Sequence, residues 1–177
     1  MSKLFKVLSF VIVILFLSCN KDKKEPVVVN GKVDLNATVS KSKVDFSDMK
    51  VQEIYDLYLV MKGALVNSDS KQVQLESKKL QNILDDSKEN KQLKATAKLI
   101  SLTKDIKKQR DFFVTISSEV ELRISKTKIN SGEVYKQYCP MAFDGAGGYW
   151  LSDSEEIRNP YFGKSMLVCG DVKNTFK

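Results

Sequence analysis

The sequence predicts a mainly α fold, namely an antiparallel up-and-down bundle of three to four helices with a turn-rich, aromatic C-terminal segment packed on it. Apolar residues recur at spacings of three and four from residue 47 to about residue 124, which is the pattern of amphipathic helices. The breaks between these stretches are short, and short connections favour antiparallel neighbours. After residue 132 the chain is rich in Gly, Pro, Cys and aromatic residues without a helical stripe, which is typical of turns.

The composition limits the size of the protein and the chemistry that it can perform. Its 177 residues are 42% hydrophobic and 29% charged, which fits one globular domain with a small appendage. The chain has no histidine and three cysteines. This excludes a Ser-His-Asp or Cys-His nucleophile, an imidazole zinc ligand, a His-ligated haem and a zinc site of four cysteines from one chain. Chemistry by Cys, Met, carboxylates and lysines remains. Asp153, Glu155 and Glu156 near Trp150 could serve as acid or base groups, but acidic loop residues are usually only solvated, so we expect a protein that is not an enzyme.

The N-terminus resembles the signal peptide of a bacterial lipoprotein. Lys3 and Lys6 precede an apolar run over residues 7–17, and a small serine stands directly before Cys19. The run has the length of a signal-peptide core and is short for a membrane span. The resemblance implies cleavage before Cys19 and attachment of lipid, such as palmitate, to its thiol, although Phe16 occupies a position where lipoproteins usually carry leucine. An ordinary secretory signal and a single-pass anchor are the alternatives.

Cleavage at this point would divide the chain into a signal peptide (residues 1–18), a tether (residues 19–46) and a helical domain (residues 47–177). The tether is rich in Lys, Asp, Asn and Ser, and as a flexible chain it would reach roughly 30 Å. Removal of the two signal-peptide lysines lowers the formal net charge from +7 to +5, a mild excess that does not indicate a nucleic-acid partner. We expect an exported protein, lipid-anchored to the outer membrane, on its periplasmic or surface face.

The helices are predicted in order from their caps and breaks. Ser47 is a plausible N-cap of the first helix, the Asn-Ser-Asp-Ser run at residues 67–70 offers a cap for the second, and Asp-Asp-Ser at residues 85–87 ends it. The fourth helix is predicted to begin near residues 103–105. No Gly or Pro lies between residues 88 and 131, so the sequence leaves open whether the third and fourth helices are separate. The four apolar stripes consist of Val51, Ile54, Leu57, Tyr58, Met61, Ala64 and Leu65, then Val73, Leu80, Ile83 and Leu84, then Leu93, Ala97 and Ile100, and last Ile106, Phe113, Ile116, Val120 and Ile124.

Few residues of the bundle suggest a function. Tyr55, Tyr58 and Met61 could line a site between helices, but at helical spacing we expect them to form core. Arg110 of the fourth helix could bind an anion, although a structural ion pair or an exposed position is the more common role of such a residue. The C-terminal segment therefore holds the more specific candidates.

Four motifs distinguish the last 45 residues, and they are Tyr-Cys-Pro-Met-Ala at 138–142, Gly-Gly-Tyr-Trp-Leu-Ser at 147–152, Ile-Arg-Asn-Pro-Tyr-Phe-Gly at 157–163 and Met-Leu-Val-Cys-Gly at 166–170. They resemble the C-terminal signature of the domain of unknown function 3347 family, and the resemblance extends over the helices from residue 47 to the end. It implies an exported lipoprotein. In other members the domain is fused to periplasmic adaptor proteins of heavy-metal efflux pumps, which implies an efflux adaptor as a partner.

The candidate site in this segment consists of Cys139, Met141, Met166 and Cys169. Residues two apart share a side of an extended segment, and residues three apart share a face of a helical turn. If the two segments meet, two thiolates and two thioethers form a soft donor set that selects Cu(I) or Ag(I). With the efflux context that the resemblance implies, our first hypothesis is a lipoprotein that binds a soft metal in support of heavy-metal efflux or homeostasis.

The same cysteines support a second hypothesis without a metal. Two cysteines in an exported protein usually form a disulfide, and a Cys139–Cys169 bond closing about 30 residues would stabilise the fold by roughly 3–4 kcal/mol in the chain-entropy model. The protein would then be an interaction module with a disulfide-closed tail. Zinc would need oxygen ligands, for which Glu133, Asp144 and Asp171 are the candidates.

Overall fold

The structure of the protein, a computed structural model, describes residues 41–177. The predicted signal peptide, the lipidation residue Cys19 and the tether up to residue 40 lie outside the described residues. Over the described range the chain forms four α-helices followed by a β-rich region. None of these helices combines the length and the apolar character that a membrane span requires.

The helices are α1 (Met49–Val66), α2 (Ser70–Ile83), α3 (Lys91–Leu102) and α4 (Ile106–Ile124). Each helix packs against the next, and α1 also packs against α4. The prediction of a mainly α protein with up to four helices is therefore confirmed at this level. The strands described below are more extensive than the sequence predicted.

Aspartate side chains begin three of the four helices. Asp48, Asp69 and Asp105 each accept hydrogen bonds from backbone N–H groups in the first turn of α1, α2 and α4, which satisfies donors that lack an intrahelical partner. The prediction of Ser47 as the cap of α1 is wrong. Its backbone N–H donates to the carbonyl oxygen of Lys128 (3.0 Å), so Ser47 belongs to the strand pairing that precedes the helix.

The open question about the third and fourth helices is answered by a break between α3 and α4. The side-chain hydroxyl of Thr103 donates to the carbonyl oxygen of Leu99 (2.8 Å), and Asp105 then starts α4. The Gln109 amide donates to the carbonyl oxygens of Thr103 (2.6 Å) and Ser70 (3.0 Å). Polar side chains thus form hydrogen bonds with the backbone carbonyl groups at this corner, and the chain turns there without Gly or Pro.

Five strands form two small antiparallel sheets in the described residues. In the first sheet, β1 (Asp45–Phe46) pairs with β2 (Ile129–Ser131). In the second, β3 (Val134–Cys139) lies between β4 (Gly148–Ser152) and β5 (Asp171–Phe176). The C-terminal segment was predicted as turns and short apolar runs, and the pairing of these runs across turns makes them strands.

The loop between β3 and β4 has an unusual backbone. Phe143 and Asp144 have positive φ angles of 54° and 57°, and Gly145 and Gly147 follow with φ angles of 93° and 82°. The sequence predicted turns in this segment, and positive φ at Gly145 and Gly147 is a conformation that glycine adopts readily. For Phe and Asp the same region costs energy, so the surrounding packing must hold this loop in place.

A continuous set of aromatic contacts joins the helices to the C-terminal segment. Neighbouring ring centroids lie 5.0–6.4 Å apart, and the rings in order are Phe46, Tyr55, Tyr58, Phe113, Tyr161 and Trp150. Tyr55, Tyr58 and Met61 are fully buried, which confirms their prediction as core. Val44 and Phe46 are also buried, so the packed part of the chain includes the end of the segment that was predicted as a tether.

Candidate functional site

Two four-residue turns carry the predicted sulfur residues. The first follows β3, where the Ala142 N–H donates to the Cys139 carbonyl oxygen (3.5 Å). In the second, the Cys169 N–H donates to the Met166 carbonyl oxygen (3.1 Å). Each turn therefore presents one cysteine and one methionine.

The tertiary structure brings the two cysteines into contact. Their Sγ atoms lie 2.7 Å apart, although the residues are 30 positions apart in the chain, and both are free thiols. Cys139 is buried and Cys169 is partly exposed. The predicted meeting of the two segments is thus present in the structure, and the thiol pair opens to solvent on the Cys169 side.

The environment of Cys169 favours its protonated form. Burial, and after it the neighbouring Cys139 thiol, together raise the pKa of Cys169 to about 12. The backbone N–H of Met141 has the opposite, smaller effect on this pKa because it donates to the sulfur. Cys169 therefore holds its proton at neutral pH, and either oxidation or a bound cation must displace it.

The two methionines lie beside the thiol pair along the chain. The backbone of Met141 contacts the Cys169 sulfur, while its side chain is 55% exposed. The backbone of Met166 contacts Cys169 through the carbonyl described above, and Met166 itself is half-buried. All four predicted residues are thus adjacent through backbone contacts, and the two thiols are in direct contact.

Asn159 holds the second turn in place, and sequence analysis did not identify it. This residue is fully buried. Its side-chain amide donates to the Cys169 carbonyl oxygen (2.8 Å), and its Oδ1 accepts from the Tyr161 N–H (2.8 Å). Asn159 is followed by Pro160, and an Asn-Pro dipeptide is a turn signal. This dipeptide is the feature of the sequence that could have indicated the role of Asn159.

In the described part of the chain, the sulfurs are not accompanied by a cluster of oxygen or nitrogen ligands. Within residues 41–177 no group of three or more His, Cys, Asp or Glu side chains is placed to hold a metal ion. Glu133, Asp144 and Asp171, the candidate oxygen ligands for zinc, therefore form no such cluster with the cysteines. A metal at this position would depend on sulfur donors.

A second polar feature that sequence analysis missed is a buried lysine on α1. The Nζ atom of Lys62 donates to the hydroxyl of Ser152 on β4 (3.1 Å), and both residues are buried. Burial lowers the pKa of Lys62 to about 8, and the carboxylate of Asp153 partly opposes this effect. Lys62 lies one turn after the buried Tyr58, and this spacing is the signal that could have placed it in the core.

A comparison with known protein families identifies the helical part of the chain. The family model described as "Protein of unknown function (DUF3347)" matches residues 54–132. Residues 54–132 belong to the DUF3347 family. The match begins within α1 and ends just before β3, so the sulfur motifs of the tail lie outside it, and their likeness to the DUF3347 signature stays a prediction. No curated protein and no solved structure matches the chain.

Proposed function

We propose that this DUF3347 protein binds Cu(I) or Ag(I) through the thiolates of Cys139 and Cys169, with the thioethers of Met141 and Met166 as further donors. The observation that carries the proposal is the contact of the two Sγ atoms at 2.7 Å. The two thiols reach each other from two turns, and each turn also carries a methionine. Soft sulfur donors of this kind prefer Cu(I) to hard cations.

Binding of the metal would be coupled to loss of protons from the pair. Because burial raises the pKa of Cys169, the metal has to displace a proton, and the apparent affinity should rise with pH. A thioether carries no proton, so the contribution of Met141 would be independent of pH. The side chain of Met141 is exposed, so it would reach the sulfurs from the solvent side.

The cellular setting of this function is part of the proposal. We propose cleavage before Cys19, lipidation of its thiol and anchoring in the outer membrane as an accessory to heavy-metal efflux, with an efflux adaptor as partner. The N-terminal sequence supports the anchor, and the DUF3347 membership supports the context. A Cys19→Ser variant should lose the lipid and leave the membrane fraction, and retention of this variant on the membrane would contradict the anchor.

We also infer that the four helices form an antiparallel up-and-down bundle. The contacts of α1 with α2 and α4, and of α3 with the same two helices, are those of such a bundle with short connections. This arrangement places the end of α4 beside the sheet that carries Cys139.

The contact of the two Sγ atoms at 2.7 Å also supports a second candidate, a non-metal interaction module closed by a Cys139–Cys169 disulfide. Two thiols in contact are well placed to form that bond in an oxidising compartment. The bond would stabilise the tail by roughly 3–4 kcal/mol in the chain-entropy model. The redox state of the pair therefore separates the two candidates.

The deciding experiment first measures the intact mass of the lipidated protein from its native membrane, with thiols alkylated before and after mild reduction. The reduced protein is then titrated with Cu(I) against a competing chelator. We expect one Cu(I) per chain, lost in a Cys139→Ser/Cys169→Ser variant. Met141→Leu should weaken binding about tenfold if the thioether bond is worth about 1.4 kcal/mol.

The control for the methionine is Met49→Leu, because Met49 is 87% exposed and lies at the start of α1, outside both sulfur turns. Its affinity for Cu(I) should equal that of the natural protein. The metal proposal is rejected if reduced protein binds Cu(I) no more tightly than the double serine variant. A quantitative disulfide that resists mild reductant in the native protein would establish the second candidate instead.

A further inference from the structure

A pocket lies beside the first sulfur turn, where Met141 and Ala142 line it. Its volume is about 570 Å³, within the range of about 300–1,000 Å³ that is usual for small-molecule sites. The start of α4 forms one wall, and the loop that follows β3 forms the other. The side chain of Met141 lines it as well, so the pocket and the sulfur turn share a residue.

Arg110 on the α4 wall has a charge that no carboxylate within residues 41–177 compensates through a salt bridge. Its Nε donates to the Pro160 carbonyl oxygen (2.9 Å), and its Nη2 donates to the Leu65 carbonyl oxygen (3.0 Å) and the Ser68 hydroxyl (3.0 Å). These three neutral acceptors fix the plane of the guanidinium. Among residues 41–177, Nη1 has no hydrogen-bond acceptor and the guanidinium has no salt bridge, so an oriented cationic donor group remains available to a ligand.

The remaining walls add a second cation, an apolar surface and an acidic rim. Lys107 lies one turn before Arg110 on the same helix face, is exposed, and lines the pocket. The apolar surface consists of Phe143, Tyr161 and Phe162. The acidic residues Asp111 and Asp144 are exposed at the rim, and neither forms a salt bridge within the described part of the chain.

The geometry points to a site for a small zwitterion that carries a carboxylate, an ammonium group and an apolar side chain, the chemistry of a free apolar amino acid. The carboxylate binds between Arg110 and Lys107, since a guanidinium recognises a carboxylate through charge-assisted hydrogen bonds. The apolar side chain lies on the aromatic surface. The ammonium group faces Asp111 and Asp144, whose charges also disfavour a multiply charged anion such as phosphate. This site is independent of the metal proposal.

The test uses the full chain and L-phenylalanine as the probe, with two analogues that each lack one charge. Phenylalaninamide has no carboxylate, and 3-phenylpropanoate has no ammonium group. We expect saturable NMR shifts of the Met141 methyl and the Asp144 amide with phenylalanine. Binding should be weakened by about tenfold with phenylalaninamide, because the charge-assisted hydrogen bonds of the carboxylate are lost. 3-Phenylpropanoate should bind several-fold more weakly than phenylalanine.

Matched variants locate the site. Lys107→Gln should weaken binding of phenylalanine several-fold, whereas Lys108→Gln, an equal change of charge at the next exposed lysine outside the pocket, should leave it unchanged. Arg110→Lys should weaken it by about tenfold, because lysine cannot keep the fixed planar geometry. Asp144→Asn should abolish the preference for phenylalanine over 3-phenylpropanoate.

Three results would overturn this inference. The first is the absence of saturable binding of phenylalanine, and the second is binding of phenylalaninamide or inorganic phosphate as tight as that of phenylalanine. The third is equal affinity in the Lys107→Gln and Lys108→Gln variants. Lys107 is exposed and forms no ion pair with another described residue, so these two variants keep the inference testable even if Arg110→Lys fails to fold.

Discussion

Lys62 is a charged side chain in a position where the helical spacing favours an apolar one. Among residues 41–177 its Nζ atom has one hydrogen-bond acceptor, the Ser152 hydroxyl, at 3.1 Å. Asp153 and Glu156 raise the pKa of Lys62, Arg158 lowers it, and burial has the largest effect, so that the pKa falls from 10.5 to about 8. A buried ammonium group without an ion pair is costly, and this cost should be measurable as a dependence of stability on pH.

Because the pKa of Lys62 is lower in the folded state than in the unfolded state, the unfolded state binds more protons between about pH 8 and 10.5. The free energy of unfolding should therefore rise with pH in this window, and below about pH 8 a constant penalty of roughly 3 kcal/mol remains. Lys62→Met should raise the free energy of unfolding at pH 7 by roughly 1–3 kcal/mol and reduce that slope. Urea unfolding at several pH values measures both effects.

The control for Lys62→Met is Lys78→Met, because Lys78 is an exposed residue of α2. This control removes the same charge and should leave the slope of stability between pH 8 and 10.5 as it is in the natural protein. A lower stability of Lys62→Met at pH 7, or an unchanged slope, would show that the lysine is compensated in the folded protein.

At the scale of elements, the start of α1 offers two adjacent candidates for the N-cap, Ser47 and Asp48, and Asp48 is the one that caps the helix. Asp48 accepts hydrogen bonds from the Lys50 N–H (2.7 Å) and the Val51 N–H (3.2 Å). Asp48→Ala should lower the free energy of unfolding by about 1 kcal/mol, the usual cost of removing an N-cap. Ser47→Ala should change it by less than about 0.5 kcal/mol, as exposed positions do. Urea unfolding of the two variants measures both free energies. A larger loss of unfolding free energy in Ser47→Ala than in Asp48→Ala would reject Asp48 as the cap.

Prediction of the helices succeeded where a local pattern was sufficient. The break before α2 and the start of α4 follow from runs that contain Asp69 and Asp105, since a short polar side chain competes for the backbone wherever it lies. The choice between Ser47 and Asp48 required knowledge of strand pairing, because the Ser47 N–H is used by Lys128. The strands were missed because β3, β4 and β5 are short, and their hydrogen bonds join residues far apart in the chain.

At the scale of the whole molecule, Tyr58 joins the helices to the C-terminal sheet. Its hydroxyl lies 2.9 Å from the Ser117 hydroxyl of α4 and accepts from the Leu151 N–H of β4 (2.9 Å). Tyr58→Phe should leave the buried Leu151 N–H without an acceptor and lower the free energy of unfolding by roughly 1–3 kcal/mol. Because sheet and helices share this core, we expect one unfolding transition by both circular dichroism and Trp150 fluorescence.

Tyr55→Phe is the matched control for this prediction. The Tyr55 hydroxyl is buried without a hydrogen-bond partner among the described residues, so its removal should leave the stability unchanged or increase it slightly. Equal losses in the two variants would mean that the bond between Tyr58 and Leu151 does not couple the two parts of the protein. Separate transitions for the helices and for Trp150 would contradict the shared core.

The candidate site was predictable in its residues but not in its geometry. Cys139 and Cys169 stood out because they are the thiols that remain once Cys19 is assigned to the lipid, and the methionines stood out by their spacing. The contact between the two sulfurs and the raised pKa of Cys169 depend on turns held by Asn159 and on burial, which no local pattern encodes.

The amino-acid sequence alone indicated the helical domain, the breaks that carry helix caps, the likeness to the DUF3347 family and the residue types available for chemistry. These features depend on neighbours within a few positions or on composition. The tertiary structure decided which thiols touch, that Lys62 is buried, and that Arg110 keeps a free donor beside a pocket. Each of these results depends on contacts between segments distant in the chain, where burial and unsatisfied polar groups set the energy. Preferences that depend on neighbours within a few positions can be read from the sequence. The desolvation of a side chain can be known only from the folded structure, because it depends on residues that are distant in the chain.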